Sequence, residues 1–257
     1  MSELFGSTYA NVYDSLYQDK DYVTECDLIE QVFEIYGEGN VQNVLDLGCG
    51  SGNHAIPLSQ RGYRVVGVDS APDMLKHARR KKTELADHIT VEFREGDLRS
   101  LELGQRFDAT LMMFAVLGYQ PENGDVLAAL QSARNHLHPK GLLICDFWYG
   151  PAVLNLGPSQ RVKVISIPKG KTLRMASAKL DIRRHVCAVH YRLWQLEEDR
   201  LIAETEETHH VRFFFPLELE LFLEAAGFIP LRLTAFPEIE RKPDETTWNV
   251  LQVARAV

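Results

Sequence analysis

The spacing of apolar residues along the chain predicts a layered α/β fold. Five short apolar runs have the length of buried strands, at 43–47, 64–68, 89–94, 108–113 and 141–147. Segments with apolar residues at helical spacing precede or separate them, at 23–36, 53–61, 71–82 and 124–137. Strands that alternate with helices predict a doubly wound, mostly parallel sheet with helices on both faces. Such a sheet binds its ligand beyond the carboxyl ends of the strands.

The pattern changes after Trp148, and it predicts an antiparallel β insert. Four β-branched and alternating stretches follow one another without an intervening helix, at 162–167, 172–179, 186–196 and 201–215. A helix over 216–226 and strands near 228–235 and 247–254 then return to the main sheet. We therefore expect three regions. They are an N-terminal helical lid (1–36), a main domain (37–150 and 216–257) and the insert (151–215), which lies beside the ligand crevice.

A glycine-rich turn follows the first predicted strand. Gly48, Gly50 and Gly52 come directly after Leu47 at alternate positions, and glycine lets backbone approach a ligand closely because it has no Cβ. The second predicted strand ends in Asp69, whose carboxylate can accept hydrogen bonds from both hydroxyls of a ribose. Together these features predict a site for a nucleoside-containing ligand.

The glycine spacing argues against a dinucleotide or a nucleoside triphosphate. The dinucleotide fingerprint G-x-G-x-x-G needs its third glycine where Asn53 stands. Asp46, at the start of the turn, would be unfavourable beside a pyrophosphate but favourable beside an ammonium group. The chain also lacks the G-x-x-x-x-G-K-[ST] phosphate loop.

Composition and charge exclude several classes of partner. The net charge of -8 over 257 residues argues against nucleic acid, because such binding depends on neutralising phosphates. The basic run at 76–82 is interpreted as a solvated helix face. No apolar run is long enough to span a membrane, and the N-terminus lacks signal-peptide features. The four cysteines are scattered and no cluster has metal-ligand spacing, so we expect a cytoplasmic protein without a metal site.

The N-terminal segment carries an aromatic stripe. Tyr9, Tyr13 and Tyr17 recur every four residues and therefore fall on one face of a helix. Two interpretations are open, an aromatic face packed on the core or a lid whose hydroxyls reach the ligand.

Four motifs, in this order, resemble those of the class I S-adenosylmethionine-dependent methyltransferases. They are D-x-G-C-G-x-G at 46–52 followed by Asp69, G-D-L at 96–98, F-D-A at 107–109 and H-P-K-G-L-L at 138–143. The resemblance covers roughly residues 40–150. It implies a seven-stranded Rossmann-like methyltransferase fold with an antiparallel terminal strand near 248–254. It also implies S-adenosyl-L-methionine as cofactor, S-adenosyl-L-homocysteine as product, and a homodimer.

The resemblance assigns roles to residues at the strand ends. The three glycines of the turn would cradle the cofactor, and Asp46 would support the amino end of its methionine part. Asp69 would hold the ribose and Asp97 the adenine amino group. Met74 would pack on the adenine, although ordinary core packing is an equal alternative. The remaining residues of the predicted cofactor site are Tyr13, Tyr17, Ser70, Leu98 and Met113.

A narrower resemblance is to N-methyltransferases of nucleotide-linked amino-deoxysugars. It rests on M-F-A-V-L-G-Y at 113–119, on F-W at 147–148, on V-Y-D at 12–14 and on the insert. The sequence departs from that group at 146–148, where D-F-W replaces a Glu-Pro-Trp-Trp type of sequence. The resemblance implies a small-molecule amine acceptor, and the insert beside the crevice would cover it. Tyr119 and Trp148 each follow a strand end that should face the crevice, so we expect them in the acceptor pocket.

Three side chains are candidates for catalysis, namely Tyr13, His54 and His210. For His54 the alternative is a role in capping the following helix, and for His210 it is a position on an exposed sheet face. His209 and His210 are adjacent on a predicted strand and point to opposite faces, so only one of them can face the cleft. His210 shares its face with Arg212, which is the candidate for binding a substrate phosphate. A neutral amine needs no strong base, whereas a hydroxyl acceptor would require one.

The predicted function is S-adenosylmethionine-dependent methylation of a small-molecule amine, such as the amino group of a nucleotide-linked sugar. Two alternatives stay open at this point. One is a small-molecule O-methyltransferase, and the other is a catalytically inactive, cofactor-binding regulatory protein.

Overall fold

The computed structural model describes residues 4–39, 41–167, 170–198 and 200–257. The strands of the central sheet are β1 (Asn43–Leu47), β2 (Arg64–Asp69), β3 (Val91–Glu95), β4 (Phe107–Met112), β5 (Leu137–Trp148), β10 (Phe228–Ala235) and β11 (Asn249–Ala256). A second sheet contains β6 (Arg161–Ile167), β7 (Gly170–Asp181), β8 (Val186–Glu197) and β9 (Arg200–Arg212). The helices are α1 (Ser7–Leu16), α2 (Tyr22–Tyr36), α3 (Ala55–Gln60), α4 (Pro72–Lys82), α5 (Asn123–Asn135), α6 (Gly150–Leu156) and α7 (Pro216–Ala225), with a 3-10 turn η1 at Val116–Tyr119.

The central sheet has the order β10-β11-β5-β4-β1-β2-β3. Strands β1 to β5 pair in parallel, whereas β11 runs antiparallel to both β5 and β10. The prediction of a mostly parallel, seven-stranded sheet is confirmed. The chain moves from β1 toward β2 on one side and returns to β4 on the other, so the strand order reverses at β1. A crevice beyond this point is where such sheets bind ligands.

Both faces of the central sheet are buried, which explains the nearly continuous apolar runs of its strands. In β1, Leu45 and Leu47 pack in a cluster with α5 and α7, whereas Val44 packs in a cluster with α2, α3 and α4. Successive side chains of a strand point to opposite faces. The sheet is therefore rigid on both sides, and its strand ends provide fixed positions for the site.

The insert differs from the prediction at its start. Residues 161–212 form the expected four-stranded antiparallel sheet, in the order β6-β7-β8-β9. Ahead of these strands the chain forms helix α6, an element that the sequence pattern does not predict, with Pro151 in its first turn, where a missing backbone N–H costs little. The chain after β9 rejoins the main sheet, because the Phe214 N–H donates to the Trp148 carbonyl at 3.1 Å.

Helix α1 lies between the main domain and the small sheet. Its buried residues Tyr9, Tyr13 and Leu16 pack with Met74 of α4 and with Ile165 of β6. The aromatic stripe of the N-terminus therefore packs between α4 and the small sheet. Within the described residues, no helix is long and apolar enough to cross a membrane.

Candidate active site

A cavity of about 490 Å³ opens at the carboxyl ends of β1, β2 and β4. This volume is within the range of small-molecule sites, roughly 300–1,000 Å³. The turn after β1 and the ends of β2 and β3 line one part of it, which we call the cofactor end. Aromatic side chains from the N-terminal segment, from η1 and from β8 line the other part, which we call the acceptor end.

The glycine turn shapes the cofactor end. Gly48 and Gly50 have φ angles of +72° and +54°, and both line the cavity. A Cβ on Gly48 would lie 2.5 Å from a methyl carbon of Val116, so no larger residue fits there. Gly52 does not line the cavity; a Cβ there would lie 2.8 Å from the Phe93 ring. Its predicted contact with the cofactor is therefore corrected to a packing role beneath the turn.

Asp69 is held with its carboxylate facing the cavity. The Gly50 N–H donates to its Oδ2 at 2.7 Å, and the Ala71 N–H donates to its Oδ1 at 2.8 Å. A carboxylate oxygen can accept a second hydrogen bond, so both oxygens keep capacity for hydroxyl donors. Burial raises the pKa of Asp69, against the lowering by its backbone donors. Two backbone hydrogen bonds therefore fix the orientation of the Asp69 side chain.

Asp46 is buried beneath the glycine turn and is not part of the cavity wall. Its Oδ2 is buried without a hydrogen-bond partner among the described residues. Burial, and then the charge of Asp69, raises its pKa to about 8. The prediction that Asp46 contacts the ligand directly is not supported by this placement, because the turn lies between its carboxyl group and the cavity.

The remaining residues of the predicted cofactor site line the same cavity. Asp97 lines the cavity and is engaged by Arg99, whose Nε donates to Asp97 Oδ1 at 2.9 Å. Side-chain hydrogen bonds from Arg99 hold the pKa of Asp97 below its ordinary value, although partial burial opposes them. The other predicted residues on the cavity wall are Tyr13, Tyr17, Ser70, Met74, Leu98 and Met113.

Aromatic rings form most of the acceptor end. Tyr13 and Tyr17 of the N-terminal segment have ring centroids 4.9 Å apart, and Tyr17 meets Phe114 edge-on at 5.0 Å. Phe114 has a φ of +69°, and the Asp146 carboxylate accepts hydrogen bonds from the Phe114 and Ala115 N–H groups of this strained segment. Asp146 thus fixes the backbone that positions the Phe114 ring, although Asp146 itself does not line the cavity.

Polar contacts attach α1 to the glycine turn. Asp14 accepts hydrogen bonds from Ser51 Oγ at 2.6 Å, from Asn53 Nδ2 at 3.2 Å and from Lys81 Nζ at 3.0 Å. Lys81 also donates to Asn53 Oδ1 at 2.7 Å. Lys81 belongs to the basic run that we interpreted as a solvated helix face, so that interpretation is wrong for this residue. Its role depends on a lid contact that the sequence pattern does not reveal.

A buried hydrogen-bonded chain stands behind the acceptor end. The Tyr119 hydroxyl lies 2.9 Å from His209 Nδ1, and His209 Nε2 lies 2.9 Å from Glu207 Oε2. Glu207 also accepts hydrogen bonds from the backbone N–H groups of Phe5 at 3.0 Å and Gly6 at 3.2 Å. Tyr119 is predicted from the sequence, whereas its two partners are not, although the alternation along β9 predicts that one of the two adjacent histidines faces the cleft.

Three predicted acceptor or catalytic residues lie away from the cavity. His210 is exposed on the opposite face of β9 from His209. Arg212 is buried against α7, where it donates to Glu218 Oε1 at 2.5 Å. Trp148 packs edge-on against Trp248 at 5.5 Å and does not line the cavity. The predictions for these side chains are corrected, because the alternation of the strand fixes which neighbour faces inward and His209 takes that position.

His54 lines the cavity but is poorly suited to accept a proton. Its Nε2 lies 2.7 Å from Glu25 Oε2, and burial together with the charge of Lys20 lowers its pKa to about 3. The imidazole is therefore neutral and weakly basic at neutral pH. The structure places His54 as a hydrogen-bond partner of α2 rather than as a general base.

Comparison with known proteins gives this site a context. The profile of a family described as a methyltransferase domain matches residues 44–141. A dTDP-3-amino-3,6-dideoxy-alpha-D-glucopyranose N,N-dimethyltransferase from Streptomyces fradiae is 28% identical over 227 residues, which is 87% of this chain and 84% of that protein. A dTDP-3-amino-3,4,6-trideoxy-alpha-D-glucopyranose N,N-dimethyltransferase from Streptomyces venezuelae is 32% identical over 146 residues, which is 56% of this chain and 58% of that protein.

A solved structure supports the same architecture. It is an S-adenosylmethionine-dependent methyltransferase from Clostridium acetobutylicum, which covers 97% of this chain and 98% of its own chain with a TM-score of 0.80. The sequence identity is 18%, so this likeness concerns the fold.

Proposed function

Because the chain belongs to the class I S-adenosylmethionine-dependent methyltransferases, we propose that it methylates the amino group of a nucleotide-linked amino sugar. One observation carries the choice of acceptor. The similarity to the Streptomyces fradiae N,N-dimethyltransferase extends over 87% of this chain, too much to be confined to the cofactor end. It must include residues of the insert, which covers the acceptor end.

The cofactor end has the features that an adenosyl group requires. Asp69 offers two carboxylate oxygens with free acceptor capacity, which suits the two hydroxyls of a ribose. Gly48 and Gly50 leave a groove that a Cβ would narrow. Asp97 lies at the same wall and can accept from an exocyclic amino group. Gly52 contributes by packing under the turn.

The middle of the cavity suits a sulfonium cation. Tyr13, Tyr17 and Phe114 line the cavity there, and aromatic rings attract cations. Two protein cations already use this attraction, Arg174 over the Tyr17 ring and Lys20 over the Phe114 ring. The unpaired, buried oxygen of Asp46 lies beneath the turn. Its carboxyl group keeps a proton at neutral pH because burial raises its pKa to about 8, and a ligand ammonium on the other side of the turn would favour the ionised form. The hydroxyls of Tyr13 and Tyr17 are the proposed partners of the methionine carboxylate.

The chemistry requires little covalent help from the protein. S-adenosylmethionine supplies an electrophilic methyl group, and S-adenosylhomocysteine is the product. The protein aligns the acceptor nitrogen with that methyl group, and such positioning contributes on the order of 7–11 kcal/mol in favourable cases. The aromatic wall and α1 exclude water, so the acceptor nitrogen loses the hydration that would compete with attack. Tyr119 is the proposed polar contact of the acceptor.

A transfer assay tests this proposal directly. Wild-type protein is incubated with S-adenosylmethionine carrying a ¹³C-labelled methyl group and with dTDP-3-amino-3,6-dideoxy-α-D-glucose, and the product is examined by NMR. We expect the label on the amino nitrogen, in one or two copies. Label on a sugar hydroxyl would instead indicate an O-methyltransferase, and cofactor binding without any transfer would indicate a regulatory protein.

We also propose a cytoplasmic location and a homodimer. All four cysteines are free and buried, as suits a reducing compartment. Both edge strands of the small sheet expose apolar side chains, Val162 and Val164 on β6 and Leu201 and Ile202 on β9, each more than half exposed. Such surfaces mark association sites. Light scattering coupled to size exclusion would give twice the monomer mass if the proposal is right.

A further inference from the structure

The buried Glu207–His209–Tyr119 chain is not explained by cofactor binding. The glutamate is 5% exposed and the histidine 1% exposed, and burying such groups is costly unless they are paired. They are paired with each other, and the free end of the chain is a phenol on the cavity wall. Simple packing against α1 would be satisfied by apolar residues at these positions.

The hydrogen bonds of the chain have one consistent direction. A carboxylate only accepts, so His209 Nε2 carries the proton that is donated to Glu207. His209 Nδ1 is then unprotonated and accepts from the Tyr119 hydroxyl. The lone pairs of the Tyr119 oxygen are left to accept a hydrogen bond from a group inside the cavity. The chain is therefore polarised to remove a proton from the cavity.

We propose that Tyr119, backed by His209 and Glu207, takes up the proton that the acceptor amine must release. The proposal rests on the proposed function and names the catalytic group of the same site. An N–H bond of the acceptor ammonium breaks and its proton passes to the Tyr119 oxygen. The original Tyr119 proton passes to His209 Nδ1, which leaves an imidazolium beside the Glu207 carboxylate. The amine keeps the electron pair that attacks the methyl group.

Other groups near the cavity are less suited to this role. His54 is held neutral with a pKa of about 3. Each Asp69 oxygen accepts one backbone N–H group, and in the proposed function its remaining acceptor capacity is used by the ribose hydroxyls. The Tyr9 and Tyr17 hydroxyls lie 3.4 Å from each other, and Tyr17 also accepts from Arg174 at 3.1 Å. A neighbouring guanidinium donates protons and does not accept them.

The Glu207 carboxylate also contacts the N-terminal segment, and so connects it to the relay formed by Tyr119, His209 and Glu207. Glu207 accepts from the backbone N–H groups of Phe5 and Gly6, directly before α1. The Phe5 ring also packs edge-on against His209, with centroids 4.9 Å apart. Docking of this segment therefore orients Glu207 and covers His209. The segment before α1 thus covers the relay and keeps water from it.

The groups that face the His209 imidazole come from four elements. They are Tyr119 of η1, Glu207 of β9, Tyr191 of β8 and Tyr9 of α1, with Arg174 of β7 stacked on Tyr191. Burial raises the pKa of all three tyrosines. They therefore stay neutral, and the Glu207 carboxylate is the charge that stabilises a protonated His209.

Two variants and a matched control test the relay. Tyr119→Phe removes one oxygen atom, and His209→Asn keeps an acceptor at the Nδ1 position but no base. His210→Asn changes the adjacent, exposed histidine and serves as the control. With dTDP-3-amino-3,6-dideoxy-α-D-glucose as acceptor, we expect kcat to fall about 100-fold in both variants, with KM and S-adenosylmethionine affinity near wild type. We expect the control to match wild type.

The pH dependence separates a proton-transfer role from a structural one. The loss of kcat should shrink as the pH rises, because the acceptor then arrives as the free amine. A double variant that combines Tyr119→Phe with His209→Asn should have the same kcat as Tyr119→Phe alone, because Tyr119 and His209 act as one unit. A kcat within about three-fold of wild type in either variant, or a loss that is equal at all pH values, overturns the relay.

An NMR measurement tests the direction of the hydrogen bonds in the relay, and it needs no acceptor substrate. With ¹⁵N-labelled histidine, His209 is assigned by the disappearance of its signals in His209→Asn. We expect the Nε2–H tautomer in wild type and a shift of the Nδ1 signal in Tyr119→Phe. An Nδ1–H tautomer overturns the relay. Failure of the proposed function is distinct, because wild type itself would then not methylate the amine.

Discussion

The two ends of the cavity are built in different ways. At the cofactor end, neighbouring parts of one supersecondary unit make the site, as when Gly50 donates to Asp69 only 19 residues later. At the acceptor end, distant segments meet; Tyr119 and His209 are 90 residues apart, and Phe5 and Glu207 are 202 apart. Backbone geometry fixes the first end, whereas side chains from three regions of the fold make the second.

This difference predicts how each end responds to change. The cofactor end depends on few residues whose positions are set by parallel strands, so single substitutions there should remove cofactor binding. The acceptor end is an assembly of rings and a hydrogen-bonded chain, so substitutions there should change turnover while cofactor binding persists. Four substitutions test this division, from the largest expected effect to the smallest.

Asp69→Ala should have the largest effect. It removes the two acceptor oxygens and leaves the Gly50 and Ala71 N–H groups without a partner. We expect a loss of about 3 kcal/mol in binding free energy, or a rise of about 100-fold or more in the Kd for S-adenosylmethionine. Titration calorimetry measures it, with the exposed Asp87→Ala as control. An unchanged Kd would mean that the ribose lies elsewhere.

Asp46→Asn should change stability in a pH-dependent way. Because burial raises the pKa of Asp46 to about 8, the folded protein keeps a proton that the unfolded chain releases above about pH 4. The free energy of unfolding of the cofactor-free protein therefore falls as pH rises from about 4 to about 8. An amide has no such proton, so the variant should be more stable than wild type at pH 8, on the order of a few kcal/mol.

Denaturant unfolding of both proteins at pH 5 and pH 8 measures this effect. The difference between the two proteins should be larger at pH 8 than at pH 5. An equal difference at both pH values would show that the Asp46 carboxyl group ionises in the folded protein as it does in the unfolded chain.

Asp14→Ala affects the contact between α1 and the glycine turn. It removes the acceptor that holds Ser51, Asn53 and Lys81 to α1, so closure of the lid over the turn should weaken. We expect the Kd for S-adenosylmethionine to rise about ten-fold, with faster release in stopped-flow measurements. Gln18→Ala, at an exposed position of the same segment, is the matched control. A rise as large as that of Asp69→Ala would place Asp14 in direct contact with the cofactor.

His54→Gln should have the smallest effect. The glutamine amide can replace Nε2 as donor to Glu25, and the native imidazole is neutral because burial and the charge of Lys20 lower its pKa to about 3. We expect kcat within about three-fold of wild type, since a loss of base catalysis would be roughly 100-fold or more. A loss of that larger size would restore His54 as a catalytic candidate.

The same contrast explains what could be predicted from the sequence. The strands and helices of the main sheet, the glycine turn and Asp69 follow from local patterns, because apolar period and glycine position act over a few residues. The bounds of β1 match the prediction, whereas α6 and η1 do not follow from any periodicity. Choosing between His209 and His210 required the register of β9 against the cavity, which is a tertiary property.

Buried polar partners were the least predictable part. Lys81 lies in a run of basic residues, and only the placement of α1 gives it Asp14 as a partner. Glu207 reads in the sequence as one of several charges along an alternating strand, and only the fold buries it against Phe5 and His209. Arg212 and Trp148 show the converse, because packing against α7 and Trp248 removes them from the site.

The most direct test compares cofactor binding with methyl transfer in one variant of the cofactor end and one variant of the acceptor end. S-adenosylmethionine binding and methyl transfer to dTDP-3-amino-3,6-dideoxy-α-D-glucose are measured for wild type, Asp69→Ala and Tyr119→Phe. We predict that Asp69→Ala loses both binding and transfer, whereas Tyr119→Phe binds the cofactor as wild type does and transfers slowly. Equal losses of binding in the two variants, or no cofactor binding by wild type, would contradict the account.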